Sequence, residues 1–326
     1  MKVLLTGANG FVGSHILDRL QAGSVTVRLL LRERSDTTFI EPHLARAEVV
    51  RGGLDDLASL RRAVAGATHV VHCAGATKAL EPAGLYAANQ TGTRNLVRAL
   101  DEAGQCQRLI LLSSLAVSGP ATRRQPARED APPRPVSEYG RSKLAAEQEV
   151  VARCRAEFVI LRLAAVYGPR DREFLPLFRA ARRGVTPLFG GGRQDLSLVF
   201  AADTAEVVFQ ALMAPHPAVP VVNVAGPEQV TAATLADEIA RVVGRRTRRV
   251  RLPLAVLPVM CWLATGWARF NGRATILAHG KHRELTAPGW VADTNRLTGW
   301  LGPVCATSLR DGLAASWRWY REAGWV

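Results

Sequence analysis

The chain has 326 residues and a formal net charge of +14, and hydrophobic residues make up 48% of it. This balance is typical of a folded globular protein and excludes an intrinsically disordered chain. The length allows one large domain or two modest ones, each with a sizeable core. Met1 and Lys2 lead straight into an apolar strand without a secretory signal, and the five cysteines are scattered. We therefore expect a cytoplasmic protein with reduced thiols and no metal site.

The positive charge comes from arginines spread along the whole chain, so we interpret it as a compositional bias and expect no nucleic-acid partner. A local arginine cluster at residues 245–251 alternates with other residues and predicts a solvated strand edge. The longest apolar stretch, residues 252–268, contains Pro253 and Pro258 and is shorter than the ~20 residues that span a bilayer. It predicts a buried or interfacial helix and no transmembrane span, and it leaves a peripheral membrane contact open.

Short apolar runs alternate with helical patterns through the first two-thirds of the chain. The runs read as strands at residues 3–6, 25–31, 47–51, 69–73, 108–113 and 158–163, and the helical patterns lie at residues 11–22, 57–65, 86–103 and 138–153. This alternation predicts an α/β fold with a doubly wound parallel sheet, the Rossmann arrangement. We expect residues 1–168, rejoined by residues 197–225, to form a dinucleotide-binding domain. Residues 169–326, which hold all seven tryptophans, would mostly form a second, smaller C-terminal substrate-binding region.

A glycine-rich turn lies between the first predicted strand and the first predicted helix. Gly7 would permit the tight turn, Gly10 the close approach of a pyrophosphate, and Gly13 close packing of helix on strand. The phosphates would then lie at a helix N-terminus, where free N–H groups and the helix dipole favour anions. The pattern predicts a bound dinucleotide.

The end of the second predicted strand bears on the choice between NAD and NADP. Arg32 stands where a carboxylate would bind the ribose 2′-hydroxyl of NAD, and Arg34 is close by. Two guanidiniums beside a 2′-phosphate favour NADP. NAD stays open, since Glu33 could bind the ribose instead.

Tyr139 and Lys143 carry the strongest chemical signal. Ser137 is a plausible N-cap, which places both residues in the first turns of a helix, four residues apart and on one face. A phenol is a weak acid near neutral pH, and a neighbouring ammonium would lower its pKa and permit proton exchange with an alcohol or carbonyl. Ser113 and Ser114 end a buried strand, at the edge where such sheets build their sites, and a hydroxyl there could bind a substrate oxygen.

Together these segments resemble the extended short-chain dehydrogenase/reductase family, which includes nucleotide-sugar epimerases, dihydroflavonol reductases and 3β-hydroxysteroid dehydrogenases. The similarity lies in residues 6–13, 72–75, 89–93, 113–119, 139–143, 162–169 and 190–203. It implies that Tyr139 is the general acid/base, that Lys143 lowers its pKa and holds the nicotinamide ribose, and that Ser114 orients the substrate carbonyl. It also places Asn89 near the cofactor and the active-site backbone. The resemblance, taken together with the two arginines after the second strand, implies a set of cofactor contacts. They are Gly7, Asn9, Gly10, Phe11, Val12, Gly13, Arg32, Arg34, Leu54, Ala74, Gly75, Tyr139, Lys143 and Val166.

Three positions depart from the family pattern. Gly53 stands where many members have an aspartate that contacts adenine, and Leu163 stands where a proline often follows the arginine. Leu196 replaces an arginine that contacts the nucleotide phosphate in nucleotide-sugar members, and an apolar side chain cannot neutralise a diphosphate. The sequence therefore predicts an NADP(H)-dependent carbonyl reductase or alcohol dehydrogenase that acts on a largely apolar small molecule.

Two other functions stay open at this stage. One is a nucleotide-sugar epimerase or dehydratase, and the other is a non-catalytic dinucleotide-binding redox sensor, against which the intact pair of Tyr139 and Lys143 argues. A homodimer also stays open, as does the role of residues 252–268. The tryptophan-rich region could form a hydrophobic pocket or lid, or its tryptophans could simply form a core.

Overall fold

The computed structural model describes residues 1–272, 274–275 and 281–326. Within these residues, seven parallel strands form a central sheet: β1 (Lys2–Thr6), β2 (Thr26–Leu31), β3 (Glu48–Arg51), β4 (His69–His72), β5 (Arg108–Ser114), β6 (Glu157–Leu163) and β10 (Val221–Val224). Their order across the sheet is β10-β6-β5-β4-β1-β2-β3. The strands are apolar because both faces of the sheet are covered by helices.

The described helices cover the two faces of the sheet and build the C-terminal region. They are α1 (Phe11–Ala22), α2 (Glu41–Leu44), α3 (Leu57–Val64), α4 (Pro82–Tyr86), α5 (Gly92–Ala103), α6 (Glu138–Arg153), α7 (Leu175–Arg182), α8 (Ala201–Met213), α9 (Ala232–Val243), α10 (Val256–Asn271), α11 (Lys281–Thr286), α12 (Asn295–Leu301) and α13 (Leu309–Glu322). Helices α1 and α8 pack on one face of the sheet, and α3, α5 and α6 pack on the other. Because the strands are parallel, the carboxyl ends of β1, β4 and β5 meet at one edge of the sheet. This edge lies beside the point where the strand order reverses.

The predicted doubly wound parallel sheet is confirmed, and the predicted strands agree with the observed ones to within one residue at each end. One predicted helix was wrong in its detail. The segment predicted as a single helix over residues 86–103 consists of α4, a π-helical turn (Ala87–Thr91) and α5. The widened turn brings Asn89 into the interior, and a hydrophobic pattern alone does not reveal such a turn.

Smaller sheets lie beside the central one. The strands β7 (Ala165–Tyr167), β9 (Asp195–Phe200), β11 (Gln229–Thr231) and β13 (Gly289–Trp290) form one, and β8 (Val185–Phe189) pairs with β12 (Arg248–Leu252). Every arginine of β12 is exposed, which confirms the solvated strand edge predicted for the arginine cluster.

The tryptophans of the C-terminal region have different surroundings. Trp317 stacks on Phe178, and Trp319 and Trp325 pack against each other and against Phe39, so these three belong to a core. Trp262 and Trp267 instead lie exposed on α10. Across residues 1–272, 274–275 and 281–326, no helix combines the length and the apolar character needed to cross a bilayer.

Candidate active site

The glycine-rich turn between β1 and α1 leaves no room for side chains. Gly7 has a φ of +74°, and a Cβ atom there would lie 2.6 Å from the backbone nitrogen of Ala74. A Cβ on Gly13 would lie 2.0 Å from the carbonyl oxygen of Gly7. No described side chain caps the N-terminus of α1 at Gly10, so the N–H groups of its first turn face outward without a protein partner. This cradle fits the pyrophosphate of a dinucleotide.

A chain of hydrogen bonds lies directly beneath this turn. The Thr6 hydroxyl accepts a bond from the N–H of Ala74 (3.2 Å) and lies 2.8 Å from Nδ1 of His72. Nε2 of His72 lies 3.0 Å from the Thr93 hydroxyl, which donates to the carbonyl oxygen of Asn89 (2.6 Å). His72 must therefore carry its proton on Nε2. Burial, aided by the charge of Lys143, lowers the pKa of His72 to about 3, so the ring stays neutral.

Asn89 fixes the backbone of the loop that follows β4. Its Oδ1 accepts a bond from the N–H of Ala76 (2.8 Å), and its Nδ2 donates to the Ala76 carbonyl (3.0 Å) and to the Ser142 hydroxyl (2.8 Å). A Cβ on Gly75 would lie 2.7 Å from Oδ1 of Asn89, so this contact requires glycine at position 75. Asn89 thereby joins the loop after β4 to α6.

The two serines at the end of β5 point in opposite directions, because side chains alternate along a strand. The Ser113 hydroxyl is buried and donates to Oε1 of Glu147 (2.5 Å). Ser114 lies on the other side, where its Oγ accepts a bond from the N–H of Ala116 (3.2 Å) and its hydroxyl lowers the pKa of Tyr139. Of the two serines, Ser114 faces the tyrosine.

Tyr139 lies in the first turn of α6. Ser137 accepts a bond from the N–H of Gly140 (3.0 Å) and is the N-cap, as the sequence predicted. A Cβ on Gly140 would lie 2.6 Å from the carbonyl oxygen of Ala116, so glycine lets the helix approach the end of β5. The structure corrects one expectation: the pKa of Tyr139 is raised by burial, and the group that lowers it is Ser114 rather than Lys143.

Lys143 lies one turn further along α6 and is buried. Its ammonium donates to the carbonyl oxygen of Leu112 (2.6 Å) and would lie 3.8 Å from a Cβ on Gly75. Burial lowers the pKa of Lys143, and the nearby Cys73 and Glu147 counteract this. A further turn along, Glu147 binds Arg162 of β6 through an ion pair of 2.7 Å in which both side chains are about 95% buried. This pair lies beneath the ends of β5 and β6 and holds α6 against them.

The remaining predicted cofactor residues lie around the same edge of the sheet. Arg32 and Arg34 are exposed in the turn after β2. Arg51 ends the neighbouring strand β3, in register with Leu31, and donates to the carbonyl oxygen of Arg32 (3.3 Å). A third guanidinium therefore lies at the corner of the sheet where β2 and β3 end. The parallel pairing of these two strands is the signal from which its position could have been predicted.

Two predicted residues, Leu54 and Val166, contribute through packing and position. Leu54 packs against Gly92, and its carbonyl oxygen accepts a bond from Nδ2 of Asn95 (2.8 Å). Val166 is half-buried in β7, opposite Val199 of β9.

Comparison with known proteins places this geometry in a family. The model of the NAD dependent epimerase/dehydratase family matches residues 3–225. This chain belongs to that family. Its resemblance to the extended short-chain dehydrogenases/reductases is thereby confirmed, and the protein is an oxidoreductase of that class.

Relatives of different activity match nearly the whole length of this short-chain dehydrogenase/reductase. The ceramide reductase of Caulobacter vibrioides (strain NA1000 / CB15N) is 30% identical over 99% of this chain and 96% of its own. The UDP-glucose 4-epimerase of Vibrio cholerae is 28% identical over 95% of this chain and 92% of its own. The structure of MoeE5 in complex with UDP-glucuronic acid and NAD matches this chain with a TM-score of 0.76 at 25% identity. The match covers 99% of this chain and 100% of the MoeE5 chain.

Two carboxylates near Tyr139 were not predicted from the sequence. Glu284 of α11 and Glu173, which precedes α7, both raise the pKa of Tyr139 through their negative charge. Glu284 is buried, and its Oε2 accepts a bond from Lys281 of the same helix (2.5 Å). Its Oε1 has no hydrogen-bond partner among the described residues. Both residues are far from Tyr139 in the sequence. No local sequence pattern therefore predicts that they lie near it in the folded chain.

Proposed function

We propose that this protein is an NADP(H)-dependent carbonyl reductase or alcohol dehydrogenase that acts on a largely apolar small molecule. The observation that carries the proposal is that Tyr139 and Lys143 lie one turn apart on α6 against the end of β5, where the Lys143 ammonium donates to Leu112 and approaches Gly75. We further propose that residues 1–168, rejoined by residues 197–225, bind the dinucleotide, and that residues 169–326 mostly bind the substrate.

The roles of the side chains follow from their positions. A nicotinamide bound at this edge would supply or accept the hydride. Tyr139 would donate a proton to the substrate oxygen, and its raised pKa suits a donor because the phenol stays protonated near neutral pH. Ser114 would orient the carbonyl, and Lys143 would hold the nicotinamide ribose. Asn89 would act by fixing the loop at Ala76 against α6.

The preference for NADP over NAD rests on charge at the corner formed by β2 and β3. Arg32, Arg34 and Arg51 bring three guanidiniums to the place where the 2′ position of the adenosine ribose is expected. Glu33 is the acidic residue in the same turn, and it is outnumbered there by positive charge. A doubly charged phosphate would form charge-assisted hydrogen bonds at this corner.

The apolar character of the substrate is supported by the surroundings of Leu196 and by the charges near Tyr139. Leu196 pairs with Val230 on one side and with Trp290 on the other, so its partners in the neighbouring strands are apolar as well. Glu173 and Glu284 would repel a diphosphate that approached Tyr139. The Caulobacter relative is named for its action on ceramide, a lipid, which agrees with this proposal.

The rival function is nucleotide-sugar epimerisation or dehydration. It is favoured by the full-length similarity to the Vibrio epimerase and to MoeE5, whose structure contains UDP-glucuronic acid and NAD. In those reactions the hydride returns to the substrate, so the cofactor shows no net change.

One experiment separates the two functions. The protein is incubated with NADPH and a long-chain ketone, or with NAD⁺ or NADP⁺ and UDP-glucose, while the absorbance of the reduced nicotinamide is followed. We expect consumption of NADPH with the ketone and no reaction with the nucleotide sugar. Isomerisation of UDP-glucose with the oxidised cofactor, without net formation of reduced nicotinamide, would contradict the proposal.

A further inference from the structure

Helix α10 (Val256–Asn271) exposes its largest apolar side chains to solvent. Trp262, Trp267 and Phe270 are 68%, 67% and 84% exposed, and Val259 and Leu263 are more than half exposed. Positions 259, 263, 267 and 270 recur at the spacing that places residues along one face of a helix. Single exposed apolar residues are common on protein surfaces, but a continuous stripe of this kind marks an interaction site.

The opposite side of α10 is also apolar and is already used. Leu257, Cys261 and Ala268 are buried, and the thiol of Cys261 contacts the backbone of His282 in α11. The helix therefore packs on the protein through its smaller side chains and presents the larger ones outward. A helix that is apolar all round is stable in water only when something covers it.

Exposed positive charge precedes α10 in the chain. The strand β12 ends four residues before α10 begins, and Arg248, Arg249 and Arg251 are all exposed along it. Arg249 forms an ion pair with Asp237 (2.6 Å). The whole chain has a formal net charge of +14. An apolar face rich in aromatic residues beside exposed arginines is complementary to an anionic lipid surface.

We propose that α10 docks this protein on an anionic membrane surface. Trp262, Trp267 and Phe270 insert at the level of the headgroups, and the arginines of β12 contact lipid phosphates. A second copy of the chain fits this face poorly. A helix of this length presents a footprint on the order of 250 Å², against roughly 800 Å² per partner in a stable interface. Two strongly positive chains would also repel each other.

Helix α10 lies close to the candidate active site. Arg269, near the end of α10, forms an ion pair with Glu81 (3.0 Å), which immediately precedes α4 and the turn that carries Asn89. On its buried side α10 packs on α11, which carries Glu284. If the proposed function holds, an apolar substrate dissolved in the bilayer would enter from this side. The docking itself does not depend on that function.

Vesicle flotation tests the docking without any measurement of activity. The wild-type protein is mixed with vesicles of phosphatidylcholine and phosphatidylglycerol, or of phosphatidylcholine alone. We expect binding to the anionic vesicles that weakens as salt is raised, and less binding to the neutral ones. The variant Trp262→Gln/Trp267→Gln/Phe270→Gln should lose binding by on the order of a hundredfold, since it removes three inserting side chains.

Matched controls distinguish this face from general exposure and charge. Val151→Gln/Met213→Gln changes two side chains that are more than half exposed on α6 and α8, and it should bind vesicles like the wild type. Arg248→Gln/Arg251→Gln should weaken binding to anionic vesicles, whereas the control Arg155→Gln/Arg318→Gln should not. Equal binding by the triple variant and the wild type would overturn the proposal.

Two further measurements cover folding and self-association. Trp262→Phe/Trp267→Phe keeps the face apolar, so it should still bind vesicles while losing much of the fluorescence quenching by brominated lipid. Light scattering reports the second copy: a wild-type dimer that the triple variant dissociates, with no vesicle binding, would contradict a lipid partner. Turnover of a water-soluble ketone should be unchanged in the triple variant. Absence of that turnover in the wild type would refute the proposed function and leave the docking intact.

Discussion

Tyr139 of α6 and Ser114 at the end of β5 act on each other at the candidate site: burial raises the pKa of the Tyr139 phenol, and the Ser114 hydroxyl lowers it. The negative charges of Glu284 and Glu173 act in the opposite direction and raise it further. The protonation of the proposed proton donor is therefore set by groups from three separate parts of the chain.

These influences predict opposite shifts in the pH dependence of reduction. Glu284→Gln removes a negative charge, which lowers the pKa of Tyr139, so activity should be lost at a lower pH than in the wild type. Ser114→Ala removes the hydroxyl that lowers the pKa of Tyr139, so the alkaline limb of the kcat/KM profile should move to higher pH. Glu322→Gln, at the exposed end of α13, should leave the profile unchanged. Shifts in the same direction for both variants would contradict this assignment.

The buried ion pair between Glu147 and Arg162 predicts a large effect on stability. Glu147→Leu leaves the Arg162 guanidinium buried and unpaired, which should lower the free energy of unfolding by about 3–5 kcal/mol. The double variant Glu147→Leu/Arg162→Met should recover much of that loss. Arg98→Ala breaks an exposed pair with Glu102 and should change stability little. Urea denaturation measures all three, and a small loss in Glu147→Leu would show that the pair does not hold α6 in place.

His72 predicts a loss of stability in acid. Its pKa is about 3 in the folded chain, below the ordinary value near 6.5, so the unfolded chain binds the proton more readily. The free energy of unfolding should fall as the pH drops from about 6.5 towards 3, at up to about 1.4 kcal/mol per pH unit from this residue. His72→Gln should be less stable at pH 7 and should show a shallower fall. An equal slope in the two proteins would rule out His72 as the source.

The corner of positive charge predicts the cofactor preference. Arg32→Gln/Arg34→Gln should weaken NADPH binding and affect NADH binding little, because only the former has the 2′-phosphate. Loss of one charge-assisted hydrogen bond, worth about 1.5–3 kcal/mol, would weaken binding by roughly ten- to a hundredfold. Arg155→Gln is a matched control elsewhere on the surface. Fluorescence titration of both cofactors measures the affinities, and tighter binding of NADH by the wild type would contradict the preference.

The sequence predicted the fold and part of the site because both depend on local patterns. Buried parallel strands are continuously apolar, and Gly7, Gly10 and Gly13 are needed where backbones approach closely. The helix that carries Tyr139 begins at a recognisable cap, Ser137. All of these signals lie within a few residues of the feature that they predict.

The sequence did not predict features that depend on contacts between distant segments. The π-helical turn at Asn89 is stabilised by bonds to Ala76 and Ser142, and neither is visible in helical periodicity. Glu284 reaches the neighbourhood of Tyr139 only through the packing of the C-terminal region. The pKa of Tyr139 was expected to be lowered, because residue spacing shows a neighbouring ammonium but does not show the cost of burial.

The central claim is that Tyr139 donates the proton during reduction of a carbonyl by NADPH, and Tyr139→Phe tests it most directly. The substitution removes the hydroxyl and keeps the ring, so packing and NADPH affinity should hardly change. General acid catalysis is worth about 10²–10⁴-fold, so we predict a fall in kcat of that size on a ketone that the wild type reduces. The measurement is NADPH consumption under saturating cofactor, with NADPH affinity titrated in parallel. Near-normal turnover by Tyr139→Phe would contradict the account.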